Sequence, residues 1–203
     1  MSDSTPYERF LSAYQNDQPP PWDSGIVPPE VRALVEGESP LPPGRALDVG
    51  CGTGVSSVYL ARHGWLVTGV DWVEAALERA RERARLAGLP AGNPLFARDD
   101  AAASGFLRDH PPVSLWLDVG CLHSFSAEAR ATYTAHAARL VQPGGALLLY
   151  AWGRHVRDGQ ERGLSPQDVA ALFAPAFTVA AVQHGQEATD QSKPSAWYTL
   201  RRR

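Results

Sequence analysis

The period of the apolar positions switches repeatedly along this chain. A short apolar run over 45–50 leads through glycine-rich 50–54 into a helical pattern over 55–63. Residues 65–70 form a second short run, 73–87 a second helical pattern closed by Gly88, and 94–98 a third run. The alternation continues with a strand over 113–119, a helix over 126–140, the stop Gln142-Pro143-Gly144-Gly145 and a strand over 146–151. A helix over 165–173 follows, opened by the capped start Ser165-Pro166-Gln167-Asp168, and two strands near 176–184 and 195–201 end the chain. This alternation predicts an α/β fold with seven strands, mostly parallel, covered by helices on both faces. No helix separates the last two strands, so they are expected to be antiparallel neighbours at one edge.

Proline and glycine punctuate the first quarter, leaving room for helices over 6–16 and 28–37. Residues 1–44 therefore read as an N-terminal helical cap on a core over 45–203, the whole forming one domain. Tyr7, Phe10 and Tyr14 recur at helical spacing in the cap. They are either a stripe that packs the cap onto the core or, with Tyr14 foremost, part of an aromatic acceptor pocket.

At 203 residues and 44% hydrophobic content, the chain is long enough for one core burying roughly 70% of the unfolded surface. Its two cysteines, Cys51 and Cys121, make neither a disulfide framework nor a Cys-x-x-Cys pair, which points to a reducing compartment. The six histidines show no metal spacing, so no metal is expected. The first residues lack a signal-peptide pattern, and no stretch approaches the roughly 20 apolar residues of a membrane helix. A soluble, cytoplasmic protein is expected. The net charge of −3 offers no attraction for nucleic acid. Arg79, Arg81, Arg83 and Arg85 interleave with Glu78 and Glu82 and read as a solvated helical face.

The chemistry concentrates where strands end. Ala46-Leu47-Asp48-Val49-Gly50-Cys51-Gly52-Thr53-Gly54 is an apolar strand running into a glycine turn that opens a helix, a nucleotide-binding arrangement. A dinucleotide Gly-x-Gly-x-x-Gly fails, because position 55 is Val55 and position 57 is Ser57. Asp48 would also repel a pyrophosphate while suiting a ligand that carries an ammonium and a sulfonium. Asp71 closes the next strand and suits the two hydroxyls of a ribose, the alternative being a helix cap. Trp72 either stacks on an adenine or packs under the helix.

The acidic Gly-x-Gly-x-Gly loop resembles the signature of class I S-adenosylmethionine-dependent methyltransferases. Asp118-x-Gly120-x-x-His123, Pro20-Pro21-Trp22-Asp23, the run Trp65 to Asp71 and Val141-Gln142-Pro143-Gly144-Gly145 look like the branch acting on thiopurines, tellurite and heterocyclic toxins. That resemblance, from about residue 19 to the C-terminus, implies a Rossmann-like, doubly wound sheet with an antiparallel last strand. It implies S-adenosylmethionine as cofactor and S-adenosylhomocysteine as product. Trp22 would belong to a lid over the methionine part, and Gly50, Cys51, Gly52 and Gly54 would be its main-chain cradle. Asp100, or Asp99, with Ala101 beside it, would meet the adenine amino group, the alternative being a turn cap. Asp118 would lie near the sulfonium. Residues 151–164, with Trp152 and Arg154, would form a substrate wall, although this segment matches nothing in the family pattern.

Methyl transfer from a sulfonium needs positioning and exclusion of water more than a protein nucleophile. A hydroxyl or protonated nitrogen acceptor also needs a base. His123 is the candidate, the alternative being a loop fixed by a hydrogen bond to main chain. The expected partner is a small-molecule acceptor with an S, N or O nucleophile, with no nucleic acid or membrane, and the chain a monomer or homodimer. Two other classes compete: a module that binds the cofactor without catalysis, and an enzyme that uses it for a different transfer.

Overall fold

The computed structural model describes residues 5–16, 18–157, 159–186 and 193–203. Among these the strands are β1 (Arg45–Val49), β2 (Leu66–Asp71), β3 (Leu95–Arg98), β4 (Val113–Val119), β5 (Val141–Trp152), β6 (His155–Arg157), β7 (Gln160–Arg162), β8 (Phe177–Gln186) and β9 (Pro194–Arg202). The helices are α1 (Pro6–Gln15), α2 (Pro29–Glu36), α3 (Val55–Arg62), α4 (Glu74–Leu86), α5 (Ala127–Leu140) and α6 (Pro166–Phe173). The main sheet runs in the order β3-β2-β1-β4-β5-β9-β8. Pairing is parallel from β3 to β5 and antiparallel at β5–β9 and β8–β9, with β8 at the edge. This is the doubly wound sheet that the alternation predicts.

Strand alternation explains why both faces are covered. In β4, Leu115 and Leu117 point to a cluster with Leu60, Trp65 and Val31. Trp116 points to the opposite cluster, with Phe106, Tyr133, Phe173 and Phe177. Each large-to-alanine change in such a layer costs about 3–5 kcal/mol, because the surroundings only partly collapse.

The helix ends follow their sequence signals. Ser165 accepts from the Asp168 amide while Asp168 reaches back to Ser165, the predicted capping box. Thr5 and Glu8 do the same for α1.

Three expectations change. Gln142 to Gly145 do not precede β5 but lie within it, as an irregularity between the pairs Val113–Val141 and Leu115–Ala146, with Gly144 at φ 77°. Two polar segments absent from the sequence reading, β6 and β7, pair as a separate hairpin. The arginine face of α4 is only partly solvated. Arg85 pairs with Glu82 in solvent, but Arg79 donates to the Asn16 carbonyl at 2.6 Å and Arg83 to the Thr53 carbonyl at 2.9 Å.

The aromatic stripe of α1 packs. Tyr7 and Phe10 meet the Trp72 ring edge-on, with centroids 5.6 and 5.8 Å away, and Tyr14 packs with Val73 and Ala76. Trp72 is thereby held as the anchor of the cap.

Candidate active site

β1 is flanked by β2 on one side and β4 on the other, so chain connections diverge there, where doubly wound sheets hold their ligand crevice beyond the carboxyl ends of the strands. The glycine turn sits at that point. Gly50, Gly52 and Gly54 have φ of 70°, 52° and 74°, the left-handed region that favours glycine. Side chains are excluded as well. A Cβ on Gly50 would fall 2.9 Å from the Cys121 Cβ, one on Gly52 2.9 Å from the Tyr14 hydroxyl, and one on Gly54 2.9 Å from the Ala80 Cβ.

The turn consumes its own amides. Gly50 and Cys51 donate to the Val70 carbonyl at 2.8 and 3.0 Å, Gly54 donates to the Cys51 carbonyl, and Gly52 donates to Asp71 Oδ2 at 3.0 Å. A phosphate needs such N–H groups; a cationic ligand needs carbonyls and carboxylates. The cradle suits the second.

Three carboxylates stand at this edge, and none is freely exposed. Asp48, expected at the mouth, is buried and accepts the Ser57 hydroxyl at 2.6 Å. Burial lifts its pKa to about 7; Ser57 opposes the shift, and Asp118 and Asp71 add to it. Asp71 accepts from both Gly52 and Val73 amides, at 3.0 and 2.9 Å, and burial lifts its pKa despite them. Asp118, expected near the sulfonium, is fully buried, and its carboxylate accepts from the Tyr133 hydroxyl and the Cys121 and Leu122 amides. It folds the chain back into the 3₁₀ turn Leu122–Ser124, and burial holds its pKa near 6.

The cap closes over the turn. Trp22 donates through Nε1 to the Tyr14 hydroxyl at 3.2 Å, and Asp23 accepts the Thr53 hydroxyl at 2.5 Å. Burial, then Asp71, raises the Tyr14 hydroxyl's pKa, which keeps it neutral over the glycines.

Past β3, Asp99 accepts the Asp100 and Leu107 amides and Asp100 accepts the Ala102 amide, so both act as turn caps here, with Ala101 buried beside them. On the acceptor side, His123 stacks on Trp152, with centroids 4.3 Å apart and planes at 23°. The Trp152 amide donates to His123 Nδ1 at 3.4 Å. Arg154, expected on the substrate wall, is instead clamped by both oxygens of Asp168 at 2.8 Å.

A family model described as a methyltransferase domain matches residues 46–145. A 2-heptyl-1-hydroxyquinolin-4(1H)-one methyltransferase of Mycobacteroides abscessus is 29% identical over 72% of this chain and 65% of its own length. An S-adenosyl-L-methionine-dependent Diels-Alderase of Talaromyces variabilis is 34% identical over 64% of this chain and 45% of its own length. The chain thus spans less than two thirds of either curated relative. Among solved structures, the 1,6-didemethyltoxoflavin-N1-methyltransferase of Burkholderia thailandensis, bound to 1,6-didemethyltoxoflavin and S-adenosylhomocysteine, superposes with a TM-score of 0.75 at 24% identity, over 98% of this chain and 91% of that one.

Residues 46–145 are thus similar to methyltransferase domains, and the fold is that of the solved methyltransferase. The matched residues run from β1 into the start of β5 and include the glycine turn.

Several contacts at the crevice come from residues that motif spacing does not single out. Thr53 ties the turn both to Asp23 of the cap and to Arg83 of α4. Ser57 faces back to Asp48 from inside α3, and Tyr133 reaches Asp118 from α5 while accepting Trp116 Nε1–H at 2.7 Å. The only sequence signal for Ser57 and Tyr133 is a polar group on an otherwise apolar helical face. Among the described residues no group of histidine, cysteine and carboxylate side chains is arranged to hold a metal ion, and no helix is long and apolar enough to cross a membrane.

Proposed function

We propose that this protein transfers a methyl group from S-adenosylmethionine to a sulfur, nitrogen or oxygen nucleophile of a small molecule in the cytoplasm. The observation that carries the reading is the glycine turn whose amides at 50, 51, 52 and 54 are spent internally, beneath Tyr14 and Trp22 and tied to Asp71. That cradle fits a ligand with an ammonium at one end and a ribose at the other. Bound there, the cofactor supplies an electrophilic methyl whose leaving group departs as a neutral thioether.

The chain's own residues bind, orient and exclude water. Asp71 accepts ribose hydroxyls with the lone pairs that the Gly52 and Val73 amides leave. Asp99 or Asp100, with Ala101, borders the adenine. Tyr14 and Trp22 cover the methionine end, and water kept out there strengthens every polar contact beneath. Asp118 acts through Tyr133 and the 120–122 turn as a positioning residue. His123, whose Nδ1 accepts from main chain and whose ring is stacked, holds the acceptor side of the loop.

Likeness to a Diels-Alderase favours one second reading, in which the cofactor is held and not consumed. Incubation with methyl-labelled S-adenosylmethionine and a panel of thiols, phenols and N-heterocycles separates the two. Label is expected in a small-molecule product. Tight cofactor binding with no transfer to any acceptor would favour the second reading.

A further inference from the structure

Around Trp152 stand nitrogen groups that the cofactor reading does not use. Arg130, in α5, donates through Nη2 to the His123 carbonyl at 3.1 Å, yet its Nε is buried with no hydrogen-bond partner. Among the described residues no carboxylate pairs with it. The carboxylate that acts on it, Asp168, is engaged by Arg154 and by Ser165. His155 is a second orphan. Its Nδ1 hydrogen-bonds the Gly153 carbonyl at 2.9 Å, while its Nε2 is buried without a partner. The two are linked through Trp152 and His123: His155 meets Trp152 edge-on at 5.8 Å, Trp152 stacks on His123, and Arg130 donates to the His123 carbonyl. Lys193 Nζ adds charge 4.7 Å from the centre of the same indole.

Buried polar nitrogens are normally paired, and an unpaired donor on a cation is costly to keep. Burial lowers the Arg130 pKa, as expected of a guanidinium without a close anion. The cluster also borders the cofactor crevice, because Cys121, two residues before His123, packs where a Gly50 side chain would stand.

We infer that Arg130 and His155 form an anion subsite at the acceptor end of the crevice, and that the methyl acceptor is a small organic acid. This rests on the methyl-transfer reading for the word acceptor, but the subsite itself does not. The acid arrives already ionised, and its oxygens accept from the Arg130 Nε–H; with Nδ1 donating to the Gly153 carbonyl, Nε2 of His155 becomes the second donor once it takes a proton from solvent.

The test compares 2-mercaptobenzoate with 2-mercaptobenzamide, which differ in charge at one substituent, by calorimetry on the protein alone and with S-adenosylhomocysteine. The acid is expected to bind at least about tenfold tighter, from charge-assisted hydrogen bonds to its oxygens. Arg130→Gln and His155→Phe should each cut that preference below about threefold, with the affinity for S-adenosylhomocysteine and the thermal midpoint held. His155→Phe tests the subsite independently of the brace that Arg130 gives to the His123 carbonyl. Equal affinity for acid and amide, a preference that survives both substitutions, or no binding of either at about 10 mM would overturn the inference. Failure of S-adenosylhomocysteine alone to bind would instead count against the cofactor reading, since the acid–amide comparison is also made without it.

Discussion

The Gly52 amide donates to Asp71 Oδ2 at 3.0 Å, which ties the end of β2 to the turn after β1. A single carboxylate therefore both shapes the cradle and borders the ribose end of the crevice. Asp71→Ala should weaken S-adenosylhomocysteine binding by about 1.5–3 kcal/mol, the range for hydrogen bonds to a charged group, and should also lower the thermal midpoint. Asp71→Asn keeps one acceptor oxygen and should fall between. Unchanged affinity in the alanine variant would leave Asp71 as a turn cap only.

Gly52→Ala meets two obstacles, the left-handed φ of 52° and the Tyr14 hydroxyl 2.9 Å from the new Cβ. The backbone alone costs about 1–2 kcal/mol, which for a chain of this size lowers the midpoint by roughly 2–8 °C. Adding Tyr14→Phe should restore part of any lost ligand affinity by removing the clashing oxygen, and calorimetry on the single and double variants reads that recovery. No recovery would show that the strain lies wholly in the backbone.

The buried carboxylates make stability depend on pH with an unusual sign. The folded pKa of Asp48 is raised from 3.8 to about 7 and that of Asp118 to about 6. Between the unfolded and folded values the native state holds more protons, so this stabilisation is full below about pH 4 and is lost as pH rises through 6 and 7. The ligand-free protein should therefore show a thermal midpoint falling from about pH 4.5 to 8 more steeply than Asp48→Asn does, seen by scanning calorimetry across buffers. Parallel slopes in the two proteins would contradict the assignment.

His123 is stacked on Trp152 and accepts its amide, an arrangement that fixes a loop. His123→Ala should accordingly lower turnover on phenol and thiolate acceptors to a similar degree, together with the thermal midpoint. A loss of about 10²–10⁴ confined to the phenol, with the midpoint held, would make it a general base.

Much of this was legible because periodicity and glycine placement are local. The runs Ala46 to Gly54 and Leu66 to Asp71 state their strands, their turn and the failure of a pyrophosphate site in consecutive residues. What a side chain bonds to is not local. Asp118, Asp99 and Arg154 are polar residues at the right strand ends, but the first is consumed by Tyr133, the second by the Leu107 amide and the third by Asp168, 14 residues away. β6 and β7 are three residues each and polar, too short to show a period of two. Gln142 to Gly145 look like a break because proline and glycine interrupt strands, whereas here they form an irregularity that β5 absorbs.

Isothermal calorimetry distinguishes a site for an adenosyl amino acid, built from spent amides and buried carboxylates, from a site for a dinucleotide. S-adenosylhomocysteine and NAD are titrated separately into the folded protein. Saturable binding of S-adenosylhomocysteine is expected at micromolar concentration, about −8 kcal/mol at a dissociation constant of about 1 μM, with no heat from NAD. Heat with NAD, or a folded protein that takes up no S-adenosylhomocysteine at high micromolar concentration, would contradict it.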